Sequence, residues 1–195
     1  EAVSEVAVVE RCESGDSVDV WLTSSIDTPE VRSITSGCSG GTTFEDIESV
    51  HHKIDSDIVV SPGEITALME RLGDEAALYH RAGGVHAAAL VSLGQGRLIC
   101  LAEDVGRHNT LDKIAGYCLR HGRSTNDGIL LTSGRISSEM VNKVAHMGVP
   151  VVVSRTSPTS LSIELAQAWA ITLLGYTRRR SFRVYAGQER IVPSS

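Results

Sequence analysis

The sequence predicts an α/β domain in which helices cover both faces of a largely parallel or mixed sheet. From residue 86 onward, short apolar runs with strand periodicity alternate with amphipathic helical segments. That alternation is typical of three-layer α/β proteins. The chain has 195 residues, of which 42% are hydrophobic and 22% charged. It therefore has a globular composition and enough length to bury a substantial core.

Residues 1–84, with a hairpin, the Cys38 loop and a helix, and an α/β core at residues 85–195 are expected to form one compact unit, with the hairpin and the Cys38 loop as an appendage. Alternating segments at 4–9 and 17–22 flank turn residues and predict a β-hairpin. Ser61, Pro62 and Glu64 predict a helix start with a capping box, and Gly73 is expected to end that helix. Residues 35–43 are rich in glycine, serine and threonine and predict a loop.

The second half carries most of the predicted elements. They are strands at 86–93 and 97–102, a helix at 107–121, a strand at 129–132, a helix at 137–147, a strand at 151–153, a helix opening at residues 157–158, and strands at 171–176 and 181–185. Leu161, Leu165, Ala168 and Trp169 are expected to face inward from the last of these helices.

Basic residues follow three of these strands. Arg107, Arg135 and Arg155 each come shortly after a strand and at or before the start of a helix. Ligands of open α/β sheets bind outside the carboxyl ends of the strands, and helix N-termini there attract anions. We therefore expect the three arginines to form one site for a phosphate-bearing ligand. His108 fits either a donor in that pocket or a helix-cap residue, and an ordinary surface role for the arginines stays open.

The charge distribution excludes some functions. The chain carries 18 Lys and Arg against 24 Asp and Glu, a net charge of −6, which argues against a general nucleic-acid binder. Five arginines nevertheless lie between residue 178 and the end, so a basic tail or an anion site is expected there. No apolar run is long enough to span a membrane. In the absence of an export signal we expect a reducing cytoplasm, and the initial Glu1 suggests a fragment or a processed product.

The four cysteines differ in their surroundings. Cys100 and Cys118 sit among apolar residues and are expected in the core, and Cys12 lies in the predicted hairpin. Cys38 lies among glycines, which cannot bury it locally and which let backbone N–H groups stabilise a thiolate. An incidental loop cysteine is the alternative. The cysteine and histidine spacings match no metal motif, so no metal held by side chains is expected.

Several motifs together resemble a known family. They are the run from Glu103 to Asn109 with Leu111, Asp112 and Lys113 after it, and the runs at 83–88, 132–135, 157–161 and 182–187. Over about residues 35–192 the chain resembles the formate dehydrogenase accessory sulfurtransferase family. The resemblance implies a homodimer and a fold similar to that of cytidine deaminases.

The resemblance also implies a function. Members take sulfur from a cysteine desulfurase as a cysteine persulfide and pass it to a molybdenum cofactor, the bis-molybdopterin guanine dinucleotide form, before that cofactor enters formate dehydrogenase. Cys38 matches the persulfide cysteine, whereas Gly41 replaces the second cysteine of the family's loop. By resemblance the cofactor site includes Phe182, Arg183, Val184, Tyr185, Ala186 and Gly187, which we expect to meet Arg107, His108, Arg135 and Arg155. Guanine nucleotide binding is expected at the same place. Gly187 is expected to allow close approach of a ligand, and Tyr185 to stack on a ring of the cofactor.

Two other functions stay open. One is a cofactor-binding chaperone for formate dehydrogenase that transfers no sulfur. The other is a cysteine hydrolase, which would need a histidine fixed beside Cys38; His51 and His52 are near in sequence, but nothing places either one. Zinc deamination is disfavoured, because His108-Asn109-Thr110 lacks the required glutamate and residues 133–139 contain no cysteine.

Overall fold

A computed structural model of the chain describes residues 6–15, 17–25, 33–34, 42–43, 53–94 and 96–193. Within these ranges, no helix is long and apolar enough to cross a membrane.

Two short antiparallel pairs of strands lie in the N-terminal part. Strands β1 (Val6–Arg11) and β2 (Val18–Leu22) form the hairpin that the sequence predicts, and every side chain in them is exposed. Strands β3 (Ser33–Ile34) and β4 (Thr42–Thr43) form the second pair. The sequence placed residues 42–43 in a loop, whereas their backbone pairs as strand β4. Cys38, His51 and His52 lie outside the described residues.

Six strands form the central sheet. In chain order they are β5 (His86–Ser92), β6 (Arg97–Asp104), β7 (Gly128–Thr132), β8 (Val151–Ser154), β9 (Thr172–Arg178) and β10 (Ser181–Ala186). Their spatial order is β10-β9-β8-β7-β5-β6. Strands β7, β8 and β9 are parallel, while β5 runs antiparallel to both β6 and β7, and β10 runs antiparallel to β9. The predicted mixed α/β architecture is confirmed.

Helices cover both faces of this sheet. Helix α1 (Pro62–Glu75) packs Ile65, Met69 and Leu72 on one face, and helix α2 (Ala77–Ala82) follows it directly. Helices α3 (Arg107–Arg120), α4 (Ser138–His146) and α5 (Ser160–Ala168) pack on the other face. The sheet is thus the middle of three layers, and residues 60–76 share a hydrophobic core with it.

Helix α1 begins as predicted but ends later. Ser61 and Glu64 form the reciprocal capping box, with the Ser61 backbone N–H 2.8 Å from a Glu64 carboxylate oxygen. The helix continues past Gly73 because Leu72 and Ala76 are both buried against the sheet, which favours another turn. Gly83, with φ +66°, provides the left-handed stop one helix later, at the end of α2.

Helix α5 starts later than predicted, and its buried face is rotated. Thr159 is the N-cap, and its side chain accepts a hydrogen bond from the Ser162 backbone. Leu165 and Trp169 are buried as expected, whereas Leu161 and Ala168 are exposed. Ser162 and Ala166 take the inward positions instead.

Strand directions define two edges of the sheet. Strands β6, β7, β8 and β9 all run the same way, so their C-terminal ends, together with the first residues of β5 and β10, lie along one edge. We call this the carboxyl edge. The opposite edge holds the first residues of those four strands and the last residues of β5 and β10.

Candidate functional site

Buried hydroxyl groups shape the loops of the carboxyl edge. The Thr132 Oγ1, fully buried at the end of β7, accepts a hydrogen bond from the Gly134 backbone N–H (3.1 Å). The Ser154 hydroxyl, fully buried at the end of β8, donates to the Gly134 carbonyl (2.7 Å) and accepts from the Thr156 backbone N–H (3.0 Å). The Ser133 Oγ accepts a hydrogen bond from the backbone N–H of Ala87, near the start of β5. These bonds tie the two loops to each other and to the sheet.

His86, Arg107 and Arg135 come together at this edge from three separate elements. Gly134 makes the approach possible, because a Cβ added there would lie 3.1 Å from the Arg107 Cβ and 3.3 Å from the His86 Nδ1. The pKa of His86 is lowered, first by burial and then by the positive charges of Arg107 and Arg135. His86 is therefore neutral near pH 7 beside two guanidinium groups. Sequence reasoning had not assigned His86 to the site.

Arg155 reaches the same edge but leans toward helix α1. Its Nη1 would be 3.9 Å from a Cβ built on Gly73, and the side chain lines a cavity of about 10 Å³ together with Tyr79 and Ser133. A cavity of that volume holds a single water molecule. The structure thus groups Arg107 with Arg135 and leaves Arg155 exposed on the α1 side of the same loops.

His108 links the starts of two helices. Its Nε2 lies 3.0 Å from a Glu139 carboxylate oxygen and 3.3 Å from the Ser137 hydroxyl, so the first turn of α3 is tied to the first turn of α4. Burial and then the charge of Arg107 lower the pKa of His108, and together they outweigh the opposite influence of Glu139. The interaction near pH 7 is consequently a hydrogen bond from a neutral imidazole. His108 therefore links the two helix starts, and neither start has the side-chain cap hydrogen bond that a helix-cap residue would make.

The acidic residues that precede α3 fix its first turn. The Asp104 carboxylate accepts from the Gly106 backbone N–H (2.9 Å) and from the Asn109 amide (3.0 Å), and it pairs with Lys113 (2.6 Å). The hydrogen bond from Lys113 is the largest cause that lowers the pKa of Asp104 to about 2. Glu103 accepts the backbone N–H groups of Leu78 and Tyr79 at the start of α2. These two carboxylates hold the scaffold around Arg107.

Tyr176 is a candidate that sequence reasoning missed. It is a non-glycine residue with φ +52°, its side chain is exposed, and its ring centroid lies 5.0 Å from the Arg183 guanidinium carbon. Its backbone N–H donates to the Thr156 carbonyl (3.0 Å), which joins β9 to the loop after β8. Left-handed backbone at a large residue is strained and is found preferentially at functional positions. Arg183 and Tyr176 thus present a cation and an aromatic face at the carboxyl edge.

The structure divides the predicted run 182–187 between several environments. Phe182 packs against the α1-side core, whereas Tyr185 and Ala186 pack against the core beneath α3–α5. A register shift between Val184 and Ala186 interrupts the regular alternation of side chains along β10. The half-buried Tyr185 ring contacts the Gly175 position, so Tyr185 offers less open surface than Tyr176.

Gly187 lies at the opposite edge of the sheet. It has φ +68°, and a Cβ there would lie 2.7 Å from the Thr172 Cα. The close approach expected of this glycine is thus made to the chain itself. Of the run, Arg183 is the member that the structure brings beside Tyr176.

The carboxyl edge is suited to bind an anion. Arg135, Arg155 and Arg183 are exposed there, as are Arg178 at the end of β9 and Arg180 in the turn between β9 and β10. Guanidinium groups bind phosphate oxygens in bidentate fashion and also stack on planar rings, as an aromatic side chain does. Among the described residues, no group of three or more histidine, cysteine and acidic side chains is placed to hold a metal ion. The edge therefore has the chemistry to take a ligand that combines phosphate with a heterocyclic ring.

Comparison with known proteins gives consistent matches. The sequence profile of the FdhD/NarQ family matches residues 1–192. The sulfur carrier protein FdhD of Thermoplasma acidophilum is 41% identical over 164 residues, which cover 83% of this chain and 58% of the relative. Proteins of the same name from Bacillus licheniformis (41%) and Bacillus subtilis (40%) match over 163 residues each, 82% of this chain and 61% of theirs. The chain thus spans less than two thirds of the length of these curated relatives.

A solved structure shares the fold. The crystal structure of a protein assigned as a formate dehydrogenase accessory protein from Desulfotalea psychrophila aligns with a TM-score of 0.78 and 30% sequence identity. The alignment covers 96% of this chain and 72% of that protein.

Proposed function

The chain belongs to the FdhD/NarQ family, and on that premise we propose that it is a sulfur carrier that serves formate dehydrogenase. Relatives about 40% identical to the chain bear the name of sulfur carrier. The observation that carries the proposal is the meeting of Arg107, Arg135 and neutral His86 at the carboxyl edge. A sulfur carrier must hold its acceptor, and this edge offers cations for an anionic one.

Cys38 is the sulfur-bearing residue in this proposal. It accepts sulfur from a cysteine desulfurase as a persulfide, and the outer sulfur is then passed to the acceptor. Of the other cysteines, Cys118 is buried and Cys100 half-buried, and Cys12 lies in the β1–β2 hairpin with its sulfur 3.6 Å from an Asp19 carboxylate oxygen. Gly41 removes a second loop thiol, so the acceptor itself must take the sulfur from Cys38.

The acceptor in this proposal is the molybdenum cofactor in its bis-molybdopterin guanine dinucleotide form, bound as cargo at the carboxyl edge. Its pyrophosphates would be met by Arg107 and Arg135, and a guanine would lie against Tyr176 and Arg183. Support comes from the exposed guanidinium groups and from the aromatic ring at the end of β9. Arg155 adds a further cation to this site on the side of α1. His108 positions the site by linking the start of α3 to the start of α4.

Sulfur labelling tests the carrier step. The protein is incubated with a cysteine desulfurase and ³⁵S-cysteine, and protein-bound, reductant-released label is measured for wild type, Cys38→Ser and Cys12→Ser. We expect label on wild type and Cys12→Ser and none on Cys38→Ser. Cys12→Ser is the matched control because it removes an accessible thiol elsewhere in the chain.

Two outcomes contradict the sulfur carrier. Equal label on wild type and Cys38→Ser would assign the sulfur to another site. No label on any protein, together with retained guanosine diphosphate binding measured by calorimetry, would favour a cofactor chaperone without sulfur transfer. Hydrolysis of thioester or amide substrates that depends on Cys38 would instead support the cysteine hydrolase.

A further inference from the structure

A cleft opens at the opposite edge of the sheet, beside the end of helix α3. Strand β5 ends at this cleft with Ser92, strand β6 begins at it with Arg97, and the connection from α3 to β7 forms its other wall. The volume of the cleft is about 270 Å³. Pockets for drug-sized ligands begin at about 300 Å³, so this cleft suits a smaller molecule.

Two arginine side chains line the cleft, one from each wall. Arg97 and Arg123 are both exposed, and among the described residues neither guanidinium has a hydrogen-bond or ion-pair partner. The end of α3 holds the backbone of Arg123 in place, because its N–H donates to the Cys118 carbonyl (2.8 Å). The Gly122 N–H, at φ +56°, donates to the Leu119 carbonyl (3.3 Å), which completes a Schellman motif. The cleft thus has two cations available to a ligand.

The cleft also contains one carboxylate, and hydrogen bonds fix its position. The Ser92 hydroxyl, in a residue that is 2% exposed, donates to the Asp127 Oδ2 (2.7 Å). The Asp127 carbonyl accepts from the Leu93 backbone N–H (3.2 Å), which ties the α3–β7 connection to the end of β5. Arg97 is the register partner of Ser92 across β5 and β6, so these two side chains lie on the same face of the sheet. The cleft therefore presents a fixed carboxylate beside an arginine.

The charges of the lining define the kind of ligand that fits. Two guanidinium groups and one carboxylate leave a net charge of +1 in the cleft. A simple dianion meets repulsion from Asp127, and a simple cation meets repulsion from the arginines. A molecule with two carboxylates and one ammonium group complements all three charges, because guanidinium groups bind carboxylates and a carboxylate binds an ammonium group. The half-buried Ile99 side chain offers apolar surface to the methylene groups of such a molecule.

We propose that this cleft binds a small dicarboxylic amino acid, for which L-glutamate is the probe. Its two carboxylates pair with Arg97 and Arg123, and its ammonium group pairs with Asp127. The C-terminal end of α3 carries partial negative charge and adds to the attraction for the ammonium group. The proposal goes beyond sulfur transfer and does not depend on Cys38, because the cleft lies at the edge of the sheet opposite the site proposed for the cofactor.

Ligand binding to the whole chain tests the proposal. Calorimetry at low salt measures binding of L-glutamate, L-glutamine and glutarate, and a rise in Tm is the second readout, because a ligand that binds only the folded protein stabilises it. We expect L-glutamate to bind with a Kd of about 1 mM or tighter. Glutarate lacks the ammonium group and L-glutamine lacks the second carboxylate, so each should bind about tenfold more weakly.

Substitutions in the cleft separate the roles of its charges. Arg97→Ala/Arg123→Ala should weaken binding of L-glutamate at least about tenfold, because both carboxylates lose their partners. Asp127→Asn keeps an oxygen that can accept the hydrogen bond from Ser92 but removes the negative charge. It should weaken binding of L-glutamate and strengthen binding of glutarate, whereas structural damage to the cleft would weaken both.

Two controls accompany these variants. Arg120→Ala removes an exposed arginine of α3 that lies outside the lining of the cleft, and it should bind L-glutamate like wild type. Guanosine diphosphate binding should be unchanged in the cleft variants, which separates the outcome here from that of the cofactor site. The Tm of each variant without ligand shows that it is folded.

The proposal is overturned if wild type binds no L-glutamate at a ligand concentration of about 10 mM, or if glutarate binds as tightly as L-glutamate. Equal weakening by Arg120→Ala and by the double arginine variant would also overturn it, because binding would then reflect the general charge of the surface. Equal weakening of L-glutamate and glutarate by Asp127→Asn would overturn the assignment of Asp127 to the ammonium group.

Discussion

Arginine has opposite environments at the two edges of the sheet. At the carboxyl edge Arg135, Arg155 and Arg183 are exposed, and only Arg107 is partly buried. At the opposite edge Arg190 is 8% exposed, and its guanidinium donates to the carbonyls of Ala170 (2.9 Å), Ser56 (3.3 Å) and Ile54 (3.4 Å). Arginine side chains therefore expose their charge to solvent at one edge, whereas at the other edge an arginine side chain donates hydrogen bonds to backbone carbonyls.

The contrast shows that a basic segment is not one functional unit. The five arginines after residue 177 form a single charged stretch in the sequence. In the structure Arg183 faces Tyr176 at the carboxyl edge, whereas Arg190 joins three chain segments that are far apart in sequence. Around it, Val60 pairs with Ile191, which anchors the C-terminal segment beside the start of α1. Arg190 is consequently not available for an anionic ligand.

Removing Arg190 is expected to have the largest effect on stability. Arg190→Ala removes a buried guanidinium group and leaves three partly buried carbonyls without their donor, and we expect the free energy of unfolding to fall by about 4 kcal/mol and Tm by about 10 °C. Arg178→Ala, an exposed arginine at the carboxyl edge, is the matched control and should change stability by less than about 0.5 kcal/mol. Urea and thermal unfolding measure both. Similar losses for the two variants would remove the distinction between the edges.

A glycine at the opposite edge gives the next largest effect. Gly187→Ala places a Cβ against Thr172 in backbone with φ +68°, and we expect a loss of about 3 kcal/mol from steric overlap added to backbone strain. Gly122→Ala has a similar φ of +56° but open space around the new Cβ. It should cost only about 1 kcal/mol, the strain alone. Equal losses in urea unfolding would mean that crowding by Thr172 is unimportant.

At the carboxyl edge, replacing an arginine by alanine should change ligand binding instead of stability. Arg135→Ala is expected to weaken binding of guanosine diphosphate about tenfold, because one charge-assisted phosphate contact is lost. Added salt should weaken wild-type binding further. Arg120→Ala, at the exposed end of α3, is the control and should bind like wild type. Calorimetry at low salt, with adenosine diphosphate in parallel, measures the effect, and unchanged affinity for Arg135→Ala would remove Arg135 from the site.

The smallest effect is a pH dependence at the carboxyl edge. The pKa of His86 is lowered in the folded protein, so as the pH falls below about 6.5 the unfolded chain binds a proton that the folded chain resists. The stabilisation that His86 provides is thus present above pH 6.5 and lost on acidification. His86→Gln should flatten the decline in unfolding free energy between about pH 7 and pH 5, by less than about 1 kcal/mol.

The control for this measurement is His121→Gln at the end of α3, which leaves His86 in place and should keep the wild-type slope. A wild-type slope in His86→Gln would show that other groups govern the acid response.

The sequence predicted where in the fold most of the site lies, but it did not predict how the side chains of the site are arranged. Arg107, Arg135 and Arg155 follow consecutive strands, and the rule for carboxyl ends placed them correctly on one edge. The side chains nevertheless separate, because Gly134 brings Arg107 toward His86 while Arg155 leans toward Gly73. Tyr176 carried no signal of its own, since its backbone conformation arises from contacts of β9 with Thr156 and β10.

From residue 86 onward the sequence by itself determined the types of the elements, and it also determined the start of α1, because periodicity and capping boxes depend on residues within a few positions of one another. It did not predict helix α2 or the β3–β4 pair. It also determined the class of the fold, since alternating strands and helices restrict how a sheet can be covered. The tertiary structure alone decided that Gly73 does not end a helix, that the run 182–187 is divided between the two edges, and that Arg190 is buried while Arg183 is exposed. The physical reason is that burial, steric fit and carbonyl partners come from segments distant in sequence, such as Thr172 beside Gly187 and Ile54 beside Arg190.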